Sequence, residues 1–393
     1  MVKLINFSVF KKFFGSSAAG GIILLTCVVL SLTIANTGLA TPFNHFLDIK
    51  IGFKNSVLNL QYSTISWIND GLMSVFFLLV GLEIKREIIE GELSSVKLAI
   101  LPVLAAIGGV IVPALIYSLF NHNDIHTANG WGIPMATDIA FALGILSLLG
   151  NKVPSRLKIF LAALAIVDDL IAILVIAIFY SSGLHYNYLL YASGILLLLI
   201  IFNRAGIKNL WFYVVPGVVM WYFIHHSGIH ATIAGVLTAL TLPTTPDDTE
   251  SPLEKLEHLL SNPVNFIIMP IFAIANTNIT FEVGMSQGLI SNMGLGIVLG
   301  LFLGKPIGIF TMSWLAVKLK LAKLPAKVGW IHVLGLGLLG GIGFTMSIFV
   351  ALLSFDKPWL QSEAKFSVLV ASILSGIVGY TFLSIYNKKK QRT

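Results

Sequence analysis

The sequence holds a single cysteine, Cys27, in 393 residues, which excludes an intramolecular disulfide framework. Thiolate and imidazole clusters of the kind that soft or borderline metals require are missing as well. Charge is scarce: 11% of residues are charged against 56% hydrophobic. Short segments of alternating polarity, the mark of a transmembrane β-barrel, are absent from the body of the chain. A formal charge of +7 does not create a nucleic-acid face, because the Lys and Arg residues are gathered in a few short connections. Neither a Tyr-Asp nor a Gly-x-Gly-Asp arrangement supplies the dyad of an intramembrane aspartic protease, so no enzyme is expected. Repeated filter elements or rings of like charge, which a cation channel uses, are also lacking.

Long apolar runs are what the chain has instead. Segments of about 18–25 residues, the length of a membrane-spanning helix, recur from end to end. The expected fold is an all-α membrane protein forming one polytopic unit over residues 1–393. Twelve transmembrane helices can be drawn, at about 15–35, 64–84, 98–119, 130–149, 157–180, 186–202, 210–224, 228–242, 260–277, 294–316, 331–353 and 365–386. The seventh and eighth are short and are separated by His225-His226-Ser227-Gly228. The first resembles a signal peptide in its preceding lysines. Its apolar run is too long, and Ser16-Ser17-Ala18-Ala19 comes before it rather than after, so it reads as an uncleaved span.

With both termini on the cytoplasmic side, 20 of the 25 Lys and Arg residues fall in inner connections or termini, and only Lys50, Lys54, Lys357 and Lys365 fall outside. That bias sets the orientation and supports an even number of spans. The outer segment 41–60 contains an apolar/polar alternation from Leu47 to Lys54, which predicts a strand or half a hairpin. It is either a solvated loop or a dimer contact. The inner segment 243–258 is the most acidic connection, and Ser251-Pro252 followed by Glu254 predicts a helix start.

Asp168 and Asp169 stand side by side in the middle of the fifth span. A carboxylate at that depth costs about 2.5–3.5 kcal/mol on insertion scales, so such a pair marks a functional site. The fourth span is interrupted by Pro134 and by Thr137-Asp138, and the eleventh by Gly340-Gly341-Ile342-Gly343-Phe344-Thr345. Broken backbone at membrane depth persists only where protein buries it or where it lines a cavity. Two such spans point to a midplane transport site between inverted repeats, here spans 3–5 and 10–12. Asp138 and Thr137 serve there as helix caps, as ion ligands, or as both.

Lys305 lies in the tenth span among Gly296, Gly300, Gly304 and Gly308, a smooth ridge that lets a second helix approach. Its ammonium needs an aspartate of the central pair or the negative helix ends at a break. Successive helical positions diverge by about 100°, so one aspartate can face Lys305 while the other faces a cavity. Asp168, Asp169, Thr137 and Asp138 are thus the candidate ligands for a hard cation and for protons, with oxygen donors throughout. Protons and a cation that compete for the same oxygens exchange for one another. At the inner surface Glu83 and Glu87, with Glu257 and His258, are either solvated helix ends or a pH-responsive cluster. His230, at the outer start of the eighth span, is a packing or interface histidine or a sensor.

These segments resemble the NhaA-type sodium/proton antiporter family. The resemblance is carried by Ala-Ile-Val-Asp168-Asp169, Pro-Met-Ala-Thr137-Asp138-Ile-Ala-Phe-Ala-Leu-Gly, Val-Gly-Leu-Glu83-Ile-Lys-Arg-Glu87, Gly304-Lys305-Pro-Ile-Gly and Gly-Ile-Gly-Phe-Thr-Met-Ser-Ile-Phe. It implies export of Na⁺ or Li⁺ against a larger number of protons, electrogenic and activated at alkaline pH. It further implies a bacterial inner-membrane location, no cofactor beyond the transported ions, and a homodimer joined through the outer hairpin. On the matching positions Asp168 and Asp169 would bind cation and protons. Asp138 and Lys305 would compensate charge where the two unwound segments cross, Lys305 would also pair with Asp168, and Glu83, Glu87, Glu257, His258 and His230 would belong to pH sensing. A sodium-coupled symporter of related architecture is the nearest alternative, with a cation channel behind it.

Overall fold

A backbone in hydrocarbon has no water to bond, so long apolar runs satisfy their amides within helices. The computed structural model describes residues 17–390, except 56–57, 151–152, 182, 245–249 and 282–284. The amino-terminal reading, including Lys3, Lys11 and Lys12, lies outside the described residues, as do Lys152, Arg392 and the middle of the acidic inner segment.

The chain opens with α1 (Ser17–Ala35) and α2 (Ala40–Asp48), then a two-stranded ribbon of β1 (Lys50–Ile51) and β2 (Tyr62–Ser63). Helices α3 (Thr64–Ile89) and α4 (Val96–Asn121) follow. A 3₁₀ segment (Ala128–Met135) precedes α5 (Ile139–Leu148), α6 (Ser155–Phe179), α7 (Tyr186–Arg204), α8 (Trp211–His225) and α9 (Ile233–Thr241). Apart from one short turn of helix, Met285–Leu289, the remainder is α10 (Pro252–Asn276), α11 (Asn292–Lys318), α12 (Trp330–Gly340), α13 (Phe344–Ser354) and α14 (Pro358–Lys390). Eight of these helical segments are long and apolar enough to cross a membrane. The number is up to ten if the bent pairs α1–α2 and α12–α13 each count as one span.

Several boundaries differ from expectation. The eighth expected span, 228–242, is helical only over the nine residues of α9, about 14 Å at 1.5 Å per residue and too short to cross alone. Gly228, at φ +89°, holds the turn before it. The outer segment 41–60 is helical over its first part, because Phe43, Phe46 and Leu47 follow helical spacing and Leu47 is buried. Helix α2 turns 107° from α1. The strand pattern survives as the pairs Lys50↔Ser63 and Ile51↔Tyr62, with one further bridge, Lys54↔Asn59. At the inner side, Ser251 and Glu254 form a reciprocal capping box that starts α10 at the expected place.

Helices α4 and α11 make the tightest pairing, through the glycine ridge. Gly308 lies against Gly108, Gly304 against Pro113, and Gly300 against Pro113 and Pro134. A methyl group on either Gly108 or Gly308 would collide with backbone of the other helix. Among the eight long spans α6 is the most enclosed, with 67% of its most apolar stretch buried, whereas α7 has 11% and is peripheral. The paired aspartates therefore sit on the central helix.

Candidate ion-binding site

The site is built where the two backbone breaks meet. The 3₁₀ segment ends at Met135, just after Pro134, residues 136–138 run extended, and α5 begins at Ile139. Across from this, Gly341–Gly343 separates α12 from α13, which lie at 47° to one another. The Asp138 amide donates to the Ile342 carbonyl at 2.7 Å, joining one break to the other. The Ser347 hydroxyl donates to the Ile133 carbonyl at 2.7 Å, a second tie between them.

Each break leaves orphan amides at the start of a new helix, and one carboxylate serves both. Asp138 Oδ1 accepts from the Phe141 amide at 3.0 Å, capping α5. Its Oδ2 accepts from the Thr345 amide at 3.2 Å and the Thr345 hydroxyl at 2.5 Å, at the start of α13. Negative charge is favoured at both positive helix ends, so Asp138 compensates two dipoles at once.

Lys305 follows directly on a π-helical turn, Gly300–Gly304, in α11. Such turns shift the helix register and recur at functional positions. Its ammonium is fully buried and forms an ion pair with Asp168 Oδ2. It also donates to the Thr137 hydroxyl oxygen at 2.8 Å. That hydroxyl lies 2.7 Å from Asp168 Oδ2 and 3.0 Å from the carbonyl of Gly340, the last residue of α12, and gives its one proton to either. Asp168, Thr137 and Lys305 thus form one hydrogen-bonded group at the negative end of α12.

Asp169 takes the other direction. It is 1% exposed, and its Oδ1 has no hydrogen-bond partner among the described residues. It lines a cavity of about 380 Å³ together with Asp138, Thr345, Glu83, Ser261 and Asn265. Asp168 and Thr137 do not line this cavity, although Asp168 Oδ1 is also buried without a partner. The four expected ligands therefore fall into two sets. Among the described residues no three of His, Cys, Asp and Glu are grouped to hold a metal ion. The reason is local: Asp168 and the Thr137 hydroxyl are engaged by Lys305, and the Asp138 oxygens by amides and a hydroxyl.

The sequence profile of the family described as Na⁺/H⁺ antiporter 1 matches residues 11–383. The chain belongs to that family. It is 71% identical over its whole length to Na⁺/H⁺ antiporter NhaA 2 of Flavobacterium johnsoniae, covering 96% of that protein. It is 51% identical to Na⁺/H⁺ antiporter NhaA of Flavobacterium psychrophilum, over 94% of each chain. With Na⁺/H⁺ antiporter NhaA 1 of Clostridium beijerinckii it shares 50% identity over 97% of this chain and 96% of the other.

In this antiporter-family chain the remaining expected residues divide by location. Arg86 Nε donates to both oxygens of Glu257, at 2.9 and 3.1 Å, bridging α3 and α10. Arg86 also pairs with Glu87 at 3.5 Å, and Glu87 accepts from the Glu92 amide at 2.9 Å. Glu83 faces the cavity. His258 does not join this group. It is exposed and lies 3.2 Å from Glu250. His230 lies apart as well, 3.4 Å from Asp70, with Thr232 at 2.8 Å and the Phe349 ring edge-on to it.

Sequence reasoning left Thr345, Arg86 and Asn265 out of the site. Thr345 carried a signal, since a threonine just after a glycine break is a helix-start residue. Arg86 entered only as a positive charge at the inner surface, and its partner is 171 positions away.

Proposed function

We propose that the chain is a secondary transporter that exchanges cytoplasmic Na⁺, or Li⁺, for external protons. Its relatives bear the name Na⁺/H⁺ antiporter, and exchange is the activity this site supports best. The observation that carries the reading is Asp169, whose carboxylate keeps an unpartnered oxygen at the cavity beside Asp138 and Thr345. Asp168 next to it is matched by Lys305. A cation arriving through the cavity meets oxygen donors only, which suits a hard ion. Binding it displaces protons from the carboxylates, and proton binding displaces it in turn. Two carboxylates that take two protons against one monovalent cation would move one net charge per cycle, making exchange electrogenic.

Ten spans, α8, and α9 taken together with the turn residues 226–232 that lead into it make twelve in this reading, with α4–α6 and α11–α14 as inverted copies around the joined breaks. Both termini lie on the cytoplasmic side of a bacterial inner membrane, following the Lys/Arg bias. The Arg86, Glu257, Glu87 and Glu83 cluster couples the inner mouth to alkaline activation. Exposed Ile49, Ile51 and Phe53 beside the outer ribbon fit a homodimer contact.

Proton flux in proteoliposomes, followed on adding Na⁺, Li⁺ or K⁺ over a pH series, tests the exchange. Na⁺ should drive protons in the opposite direction, increasingly so toward alkaline pH. Cation flux with no proton movement would favour a channel, and co-movement of an organic solute a symporter. Either would overturn the proposal.

A further inference from the structure

A second cavity lies along Phe141, Gly144, Ile145 and Leu148, a different face of α5 from the Ile139, Ala140 and Leu143 face that lines the ion-binding cavity. It has a volume of about 560 Å³ and is walled by α1, α5 and α14. Glycine makes the hollow: Gly21, Gly144 and Gly376 come one from each of these helices. A Cβ on Gly21 would stand 3.8 Å from the Gly144 Cα, and one on Gly376 would stand 3.0 Å from Ile145 Cδ1. No charged side chain is among its lining residues. Leu25, Val29, Ile373 and Ile377 along it are 52%, 57%, 49% and 59% exposed. In a membrane-embedded chain such side chains face hydrocarbon, so the groove opens sideways into the bilayer.

The ends of the groove are chemically unlike. One end carries Tyr380 and Thr381, residue types that suit the membrane–water interface. Helix α14 continues past them into Lys388, Lys389 and Lys390. Lysines at this level attract anionic headgroups. An unfilled apolar hollow forfeits dispersion contacts, and the apolar partner at hand in a bilayer is an acyl chain.

We propose that this groove binds one acyl chain of an anionic phospholipid, whose headgroup sits at the basic end of α14. The floor of the groove includes Ile342 and Phe344, on either side of Gly343. The Phe344 amide donates to the Ser372 hydroxyl of α14 at 3.1 Å, and the next residue, Thr345, holds Asp138. A seated chain therefore packs directly against the break that positions the ion site.

The full-length chain should be tested by native mass spectrometry after exposure to phosphatidylglycerol or phosphatidylcholine of the same acyl composition. One phosphatidylglycerol should remain per chain at activation energies that strip phosphatidylcholine. Leu25→Trp with Ile373→Trp, which fills the groove with apolar bulk, should lower that retention at least fivefold. Leu197→Trp with Ile201→Trp on peripheral α7 should leave it unchanged. Lys388→Gln should reduce the preference for phosphatidylglycerol. In the unsubstituted chain, a phosphatidylglycerol with a photoactivatable acyl chain should cross-link within residues 21–32 and 369–381. Equal retention of the two lipids, retention indifferent to groove filling, or cross-links lying elsewhere would overturn the proposal. If the filled variant fails to fold, the cross-link positions alone decide.

Discussion

At the scale of single residues, the two adjacent aspartates differ in what surrounds them, and the difference predicts different outcomes. Asp168 shares a buried ion pair with Lys305, so removing only the lysine leaves an uncompensated charge in a dry interior. Breaking such a pair from one side costs about 3–5 kcal/mol, whereas replacing both partners is often near neutral. Lys305→Met should therefore lower the melting temperature sharply, and Lys305→Met with Asp168→Asn should recover most of the loss. A thermal-shift series on the four proteins of that cycle checks this. Asp169 has no such partner, so Asp169→Asn should fold at least as stably as the parent chain while losing Na⁺-dependent proton release. Thr345→Val removes one of three donors to Asp138. Because Asp138 is then left under-satisfied, a loss of about 1–3 kcal/mol is expected in chemical denaturation.

At the scale of elements, the glycine ridge sets how close α4 and α11 come, and that approach puts Lys305 within reach of Asp168. Gly108→Leu or Gly308→Leu should force the helices apart and reduce both thermal stability and exchange. Conversion of peripheral Gly194, which meets nothing within 4 Å, to Leu should do neither. The long spans, both breaks and the ridge were legible in the sequence, because apolar length, Pro134 and the glycines at 340, 341 and 343 act locally. The π turn before Lys305 was not, since it preserves composition and changes only register. The 100° separation of Asp168 and Asp169 did not by itself say which one faces the lysine; the family resemblance implied Asp168, as the structure has it. That choice depends on the rotation of α6 against α11, which packing decides. Helix α2 was missed because the reading rested on the alternation from Leu47 to Lys54, which overlaps only its last two residues, while the helical spacing of Phe43, Phe46 and Leu47 was the local signal. The double capping by Asp138 was half legible: its place before α5 was local, and its bond to Thr345 depends on a residue 207 positions away.

At the scale of the whole molecule, the joined breaks form a hub between two unlike cavities, one polar and one apolar. Asp138 caps helices on both sides of the joint, so movement of either broken span changes the field at the candidate ion site. The inner bridge from Arg86 to Glu257 ties α3 to α10, two of the helices that wall the polar cavity, which they line with Glu83 and Asn265. Arg86→Gln frees that bridge, and the pH profile of exchange should shift while maximal exchange at the new optimum persists. A pH series in proteoliposomes separates such a shift from a simple loss of folding. The central claim is that cation and protons compete for Asp168 and Asp169. Its most direct test is proton release when Na⁺ is added to the purified protein in weakly buffered solution. Competition predicts that Na⁺ binding releases protons, that apparent Na⁺ affinity falls as pH is lowered, and that Asp169→Asn abolishes the release. Na⁺ binding with no proton release, or release undiminished in Asp169→Asn, would contradict it.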